Sequence, residues 1–415
     1  MEHVAFVPSL AWVIPFVLLL LGVATLPLVL AHFWESNLNK LYISLALAAP
    51  VLVLYLRHAP TALMHSGADY ISFMVLLGSL FVISGGVLLE GDLQATPRVN
   101  AGFMAVGALL ASFIGTTGAS MLLIRPLLQT NRERRHVAHT VVFFIFTVSN
   151  IGGCLTPLGD PPLFLGYLAG VPFTWTFRLA PEWLATTALV LGVYLVWDTF
   201  AYRRETPIDR RHDRLEVRPL RCAGTENLAL LGGVLVAVAF FKAPVRELLM
   251  VALAVVSMVR TPRDLRKANH FTFHPIVEVA VIFIGIFVTM VPALDLLRAR
   301  GADLGVQEPW QFFWATGLLS SFLDNAPTYL TFLALAQGQG LTPEVVGVPH
   351  ELLKAVSLGA VFMGANTYIG NGPNFMVRAI AEHRGVKMPS FVGYMMMSAM
   401  ILLPIYALVT VVFLL

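Results

Sequence analysis

Apolar residues run in long, nearly unbroken blocks along the chain, near residues 9 to 31, 41 to 56, 70 to 90, 138 to 170, 183 to 202, 225 to 241, 244 to 259, 275 to 297, 350 to 385 and 391 to 415. Such blocks approach the ~20 residues that a helix needs to cross a hydrocarbon core. The alternating pattern of an outer-membrane barrel is absent. Two further stretches behave differently. Residues 100 to 129 and 310 to 337 each divide into two apolar arms of 10 to 15 residues around a polar knot, "GTTG" (Gly115–Gly118) and "DNAPT" (Asp324–Thr328). Arms that short predict a re-entrant hairpin, entering and leaving on one side. The blocks at 138 to 170 and 350 to 385 are long but contain "NIGGCLTPLGDPPLF" (Asn150–Phe164) and "NTYIGNGPNF" (Asn366–Phe375), whose glycines and prolines predict discontinuous helices. The expected fold is all-α and polytopic, with about ten spans plus two hairpins.

The irregular segments come in pairs. "LLASFIGTTGAS" (Leu109–Ser120) set over "LLSSFLDNAPTY" (Leu318–Tyr329) matches Leu-Leu, Ser and Phe at an offset of 209. "GCLTPLGDPPLF" (Gly153–Phe164) over "GANTYIGNGPNF" (Gly364–Phe375) matches Gly, Thr, Gly, Pro and Phe at an offset of 211. Two matches at nearly one spacing predict a duplication: a first membrane repeat over 1–202, a basic linker over 203–224 and a second repeat over 225–415. Five crossings and one hairpin per half force the second copy upside down, giving an inverted-topology repeat.

Composition agrees with a membrane solvent: of 415 residues, 57% are hydrophobic and 12% charged, with a mean hydropathy of +0.78. Residues 9 to 31 lack a basic n-region and are expected to form a first span, not a cleaved signal. On the expected topology 19 basic residues fall on one set of loops and 6 on the other. The richer side is expected to be cytoplasmic, with both termini outside, in a bacterial-type inner membrane. These basic residues obey the positive-inside rule and call for no nucleic-acid partner. Two cysteines, Cys154 and Cys222, offer neither a disulfide framework nor a metal cluster.

A helix broken at membrane depth exposes backbone carbonyls and amides, which is tolerated only where they are buried in protein or line a wet cavity. Carbonyls at the end of one half-helix suit a cation, and the N-terminus of the next favours an anion. Asp160 and Asn371 occupy equivalent positions in the two breaks. In "GDPP" an aspartate is a natural N-cap whose carboxylate takes backbone N–H groups. An ionisable group at mid-membrane nevertheless costs about 3 kcal/mol or more unless paired, which singles out Asp160, and Asp324 at the second hairpin tip, as ion or proton sites. Asn150, Thr156, Asn325, Asn366, Thr367, Asn371 and Asn374, with Thr116, Thr117 and Thr328 at the hairpin tips, offer neutral oxygens to a hard monovalent cation; each alone equally serves a helix–helix hydrogen bond. Glu278, Arg125, Lys354 and His139 are expected to snorkel near helix ends.

Paired hairpins, paired broken helices and an inverted repeat resemble the ion transporter superfamily, which includes divalent-anion/sodium symporters, citrate transporters, arsenite permeases and sodium/proton antiporters of the NhaD type. "SNIGG" to "PLGD" (Ser149–Asp160) and "DNAP" (Asp324–Pro327) are most similar to the antiporter branch and also resemble citrate transporters. Dicarboxylate symporters carry Ser-Asn-Thr at their hairpin tips, where this chain has "GTTG" and "DNAPT". The resemblance implies a homodimer and an elevator-like movement. The function expected is a sodium/proton antiporter working by alternating access, in which Na⁺ and protons compete for the oxygens of Asp160 and Asp324. The alternative is a sodium- or proton-coupled carrier of citrate or another small carboxylate. No phosphate loop marks an ATP-driven pump, and neither HExxH nor GxSxG marks an enzyme. No cofactor is expected beyond Na⁺ as transported or coupling ion.

Overall fold

The computed structural model describes residues 6–415. In the first half, α1 (Ile14–Val29), the short α2 (Ala31–Trp34), α3 (Asn37–His58) and α4 (Pro60–Ser84) lead to a strand, β1 (Leu88–Asp92). The hairpin α5 (Pro97–Ile114) and α6 (Thr116–Thr130) follows, then the broken helix α7 (Ala138–Thr147) and α8 (Pro161–Leu168), and α9 (Ala180–Arg203). A short helix, α10 (Pro207–Leu215), and β2 (Arg218–Ala223) join the halves. The second half comprises α11 (Glu226–Phe240), α12 (Val245–Arg260), the short α13 (Arg263–Ala268), α14 (His274–Thr289) and α15 (Val291–Arg300). The hairpin α16 (Pro309–Phe322) and α17 (Asn325–Gln337), the broken helix α18 (His350–Met363) and α19 (Gly372–His383), and α20 (Phe391–Phe413) complete it.

Among the described residues seven helical stretches are long and apolar enough to cross a membrane, and the protein is a polytopic, all-α membrane protein. Burial sorts the helices. His139 to Thr147 of α7 are buried all round, as is nearly all of α18, so these segments form the centre. On α1 and α12, Leu18, Leu21, Leu248 and Val259 point outward, as helices facing lipid require. Each hairpin opens with proline at the first helical position, where its missing N–H costs nothing: Pro97 follows Thr96, whose hydroxyl accepts from Val99 N, and Pro309 follows Glu308.

Several sequence expectations need correction. The third span begins at Pro60, not near 70, and ends at Ser84 before the Gly85-Gly86 pair. Its first turns carry His65, Ser66 and Asp69 and look like loop, but Ser66 is buried and donates to Phe287 O across the interface at 2.5 Å. The first hairpin arm is 18 residues long, exceeding the expected 10 to 15, although its break at Gly115 (φ +82°) lies where the polar knot placed it. Glu278 keeps 36% of its side chain exposed and also accepts from buried Lys40 at 2.6 Å, a partner the sequence did not indicate. Lys354 pairs with Glu182 at 3.4 Å and Glu351 at 2.6 Å. His139 lies 2.8 Å from buried Asp198, which also receives Arg134 and, at 2.9 Å, the Tyr194 hydroxyl. Each is a charge paired within the protein, as burial demands.

The linker is ordered too. β2 pairs antiparallel with β1, Leu88 opposite Ala223 and Asp92 opposite Arg218. Gly224 (φ +73°) then turns the chain against Gly86 so closely that an added Cβ would lie 2.0 Å from Gly86 O. Asn227, buried, closes this corner by donating to Gly86 O at 2.9 Å and Thr261 Oγ1 at 3.0 Å, while its Oδ1 accepts from Ser257. Asn227→Ala strands these groups without water, and is expected to cost about 2 kcal/mol, read as a lowered thermal midpoint of the purified protein in detergent.

Candidate functional site

The two breaks are built alike. Ser112 on the first hairpin donates to Gly152 O at 2.5 Å, and Ser321 on the second donates to Met363 O at 3.1 Å. Thr156 in the first break donates back to Ser112 O, and Thr367 in the second to Ser321 O. Each threonine oxygen then accepts the amide two residues on, Leu158 N at 3.1 Å and Ile369 N at 3.2 Å. All three bonds recur at the 209 and 211 offsets, so every hairpin is stitched to its own broken helix through a serine–threonine clasp. The glycines follow suit: an added Cβ would lie 2.2 Å from Gly153 O at Gly159 and 2.6 Å from Gly364 O at Gly370. Main chain crosses main chain there, and no side chain fits.

At the N-terminus of α8 the sequence places prolines at the first two helical positions. An N-cap side chain normally accepts from the second or third helical amide. Pro162 has none to offer, and Leu163 N is taken by the Asp160 backbone carbonyl at 3.1 Å. The Asp160 carboxylate therefore makes no bond to the helix it begins, contrary to the capping role its position suggests. It turns instead to three side chains. Thr116 Oγ1 donates to Oδ1 at 2.9 Å, Asn371 Nδ2 to Oδ1 at 3.0 Å and Asn325 Nδ2 to Oδ2 at 2.6 Å. Asp160 is 1% exposed. Four irregular points of the fold thus converge on one carboxylate: both hairpin tips, through Thr116 and Asn325, and both breaks, through Asp160 itself and Asn371.

The amides are oriented from a fixed end. Asn374 Nδ2 donates to two backbone oxygens, Gly364 O at 2.8 Å and Thr367 O at 2.9 Å, leaving its Oδ1 to accept from Asn150 Nδ2 at 2.7 Å. The Asn150 oxygen then accepts from Asn371 Nδ2 at 3.2 Å, and that same NH₂ group faces Asp160. Carbonyls cannot donate, so they set the sense of the whole chain. Its output is an array of donors aimed at the Asp160 carboxylate oxygens.

Asp324 has a different part. Its side chain accepts from Ala326 N at 3.0 Å and caps α17; it is only partly buried and makes no hydrogen bond to the Asp160 cluster. The Thr328 hydroxyl returns to Asp324 O at 2.9 Å within its own helix. Asn366 donates to Ser321 Oγ at 2.9 Å, and its Oδ1 is buried with no hydrogen-bond partner among the described residues. Thr117 lines a small cavity, about 80 Å³, that opens on Asp160, Gly159 and the first hairpin tip. Of the residues flagged by sequence, the structure therefore joins Asp160, Thr116, Asn325, Asn371, Asn150 and Asn374 in one network. It assigns Thr156 and Thr367 to clasps and leaves Asp324, Thr328, Asn366 and Thr117 around it. Ser112 and Ser321 were not flagged, although their match across the halves was the available signal.

Among the described residues, the cavity beside Asp160 is lined by no lysine, arginine or histidine, and Asp160 is the only ionisable one on its wall.

Comparison with known proteins agrees with a carrier. An uncharacterized transporter of Mycobacterium tuberculosis is 26% identical over 354 residues, spanning 77% of this chain and 80% of the relative. A second from the same organism is 27% identical over 394 residues, 85% of this chain and 88% of its own. An uncharacterized transporter of Mycobacterium bovis matches to the same extent. The model of a family described as "Putative citrate transport" matches residues 6–414. With that match running almost end to end, the chain belongs to this family of transporters.

Proposed function

We propose that the protein is a sodium/proton antiporter in which Asp160 carries the exchanged ion. The observation that supports this most directly is a buried carboxylate whose adjoining cavity has no cationic side chain. Citrate would bring its negative charges against Asp160 with no cationic side chain on the cavity wall to offset them. Na⁺ and H⁺ both neutralise that carboxylate, so binding one excludes the other.

The hydrogen bonds supply a coupling. As an anion, Asp160 accepts three donors. A proton on Oδ2 makes that oxygen a donor facing the Asn325 NH₂ group, and the two repel. Na⁺ likewise displaces donor hydrogens from the oxygen it occupies. Either ion thus loosens the tie between the first break and the second hairpin, which belong to different halves. Because the clasps hold each hairpin to its own break, the halves respond as bodies. We read the chain as two inverted repeats, 1–202 and 225–415, joined by 203–224, moving by alternating access in a homodimer, with the basic loops cytoplasmic and both termini outside. The 209 and 211 offsets of the clasps support the duplication.

A second reading, a sodium-coupled carrier of citrate or another small carboxylate, draws support from the family's description and from the N-termini of α8 and α19 at the site, which favour anions. Proteoliposomes separate the two. Exchange predicts that added Na⁺ collapses an imposed pH gradient with no organic solute present; labelled citrate uptake that needs a sodium gradient, without such collapse, would reject it.

The two aspartates are expected to differ. Asparagine caps a helix as well as aspartate does, so Asp324→Asn should leave exchange within about tenfold of wild type, and Asp324→Ala should cost about 1 kcal/mol of stability. Complete loss of exchange in Asp324→Asn, with the protein folded, would make Asp324 a second ion carrier.

A further inference from the structure

A second polar cavity, about 620 Å³, lies between the β1–β2 pair and the outer ends of α6 and α19. Four arginines line it: Arg125 of α6, Arg384 at the C-terminus of α19, and Arg218 and Arg221 of β2. Two carboxylates share the wall, Glu90 opposite Arg221 and Asp92 opposite Arg218 across the strand pair, which leaves Arg125 and Arg384 without a facing acid. Asp92 accepts from Gln129 at 3.3 Å, and Glu90 is exposed. None of the four arginines forms an ion pair within 4.0 Å among the described residues. Elsewhere in this fold Arg134 is matched by Asp198 and Arg246 by Glu247, and buried Arg266, which has no carboxylate, donates to Val82 O and Ser257 Oγ at 2.8 Å each.

The positive-inside rule places basic residues on this face, but it places them in water. Arg125 departs from that. Its Nη1 is cut off from solvent and has no hydrogen-bond partner, while its neighbours on the cavity wall include another guanidinium. A guanidinium nitrogen shut away without an acceptor on a half-buried arginine is costly, and a second cation beside it raises the cost. Planar guanidinium groups converging from separate elements are matched by a compact oxyanion with several acceptor oxygens.

We propose that this cavity binds a phosphate-type oxyanion, either free in solution or as a lipid headgroup, held by Arg125 and Arg384 and closed over by Arg218 and Arg221. The site has a bearing on transport through its two inner walls. α6 starts at Thr116 and α19 just after Asn371, both donors to Asp160. Arg125 and Arg384 stand roughly 13 and 18 Å further along those helices at the usual rise. An anion bridging them ties together, at one end, two half-helices whose other ends converge on the ion site, and fastens both to the sheet that contains the linker.

The test uses the full chain in phosphatidylcholine nanodiscs, titrated calorimetrically with inorganic phosphate against chloride at matched ionic strength. Saturable phosphate binding is expected, weakened at least about tenfold in Arg125→Gln and in Arg384→Gln. A parallel arm replaces part of the lipid with phosphatidylglycerol and follows the thermal midpoint. A rise in wild type that both variants lose, without binding of free phosphate, identifies the lipid as the source and equally supports the site. Should Arg125→Gln fail to fold, the exposed pair Arg218→Gln/Arg221→Gln serves instead, with a smaller loss expected. No response to either anion, or responses equal in wild type and variants, overturns the proposal.

Discussion

Asp160→Asn is expected to reduce Na⁺-driven proton movement in proteoliposomes to the level of protein-free vesicles. The argument rests on charge. The substituted amide keeps nearly the shape of the carboxylate, and its oxygen still accepts from Thr116 and Asn371, but its NH₂ group then faces the NH₂ of Asn325, which donates to Asp160 Oδ2 at 2.6 Å in the native chain. Two donors in contact in a buried site cost about 1–3 kcal/mol, so a modest fall in thermal midpoint should accompany the loss. A folded variant of lower stability that still exchanged Na⁺ for H⁺ would remove Asp160 from the ion path. The anionic form also makes a statement about pH: the three donor bonds to the carboxylate are intact only while it is unprotonated, so exchange should show proton–sodium competition, with the apparent Na⁺ affinity falling as the proton concentration rises.

Gly159→Ala is expected to produce the largest loss of stability, about 3 kcal/mol or more, and to prevent recovery of folded protein from membranes. The reason is local. The added methyl would lie 2.2 Å from Gly153 O and 2.7 Å from Gly153 C, both backbone atoms that cannot rotate away. Thr116 N also donates to Gly159 O at 2.8 Å, so any shift to relieve the clash is felt at the hairpin tip and at Asp160. Gly232→Ala makes the control, since nothing lies within 4 Å of its would-be Cβ in the middle of α11, and a helical alanine should be neutral or slightly stabilising there. Equal yield and thermal midpoint for the two variants would mean that the crossing of the two chain segments is looser than described.

The hairpin tips and helix breaks were legible because glycine and proline act locally: they interrupt helices wherever the fold places them, and their recurrence at two nearly equal offsets points to a paired design. Long apolar blocks revealed the spans for a similar reason. What stayed hidden depended on partners remote in sequence. The start of α4 looked like loop until Ser66 met Phe287 O, 221 residues away. Glu278 looked like a surface charge because its partner, Lys40, lies 238 residues off. β1 and β2 are short, charged and without an alternating pattern, so only their pairing makes them strands. Around Asp160, residue type indicated amides and hydroxyls that the fold brings together, but not their division of labour. Proline at the second position of α8 removes an amide that Asp160 could cap, whereas the second position of α17 offers Ala326 N to the Asp324 carboxylate.

The chain of amides anchored by Asn374 has an outcome beyond placing donors. Although Asp160 and Asn371 are counterparts, their chemistry is not interchangeable, because Asn371 also donates to Ser149 O at 3.2 Å and to Asn150 Oδ1. A carboxylate at 371 would meet oxygen on both of those sides. Behind two matching helix breaks, the protein thus has a built-in handedness of charge: one break contributes the negative pole, the other the hydrogens that greet it, and no mutual exchange of the two letters restores the original.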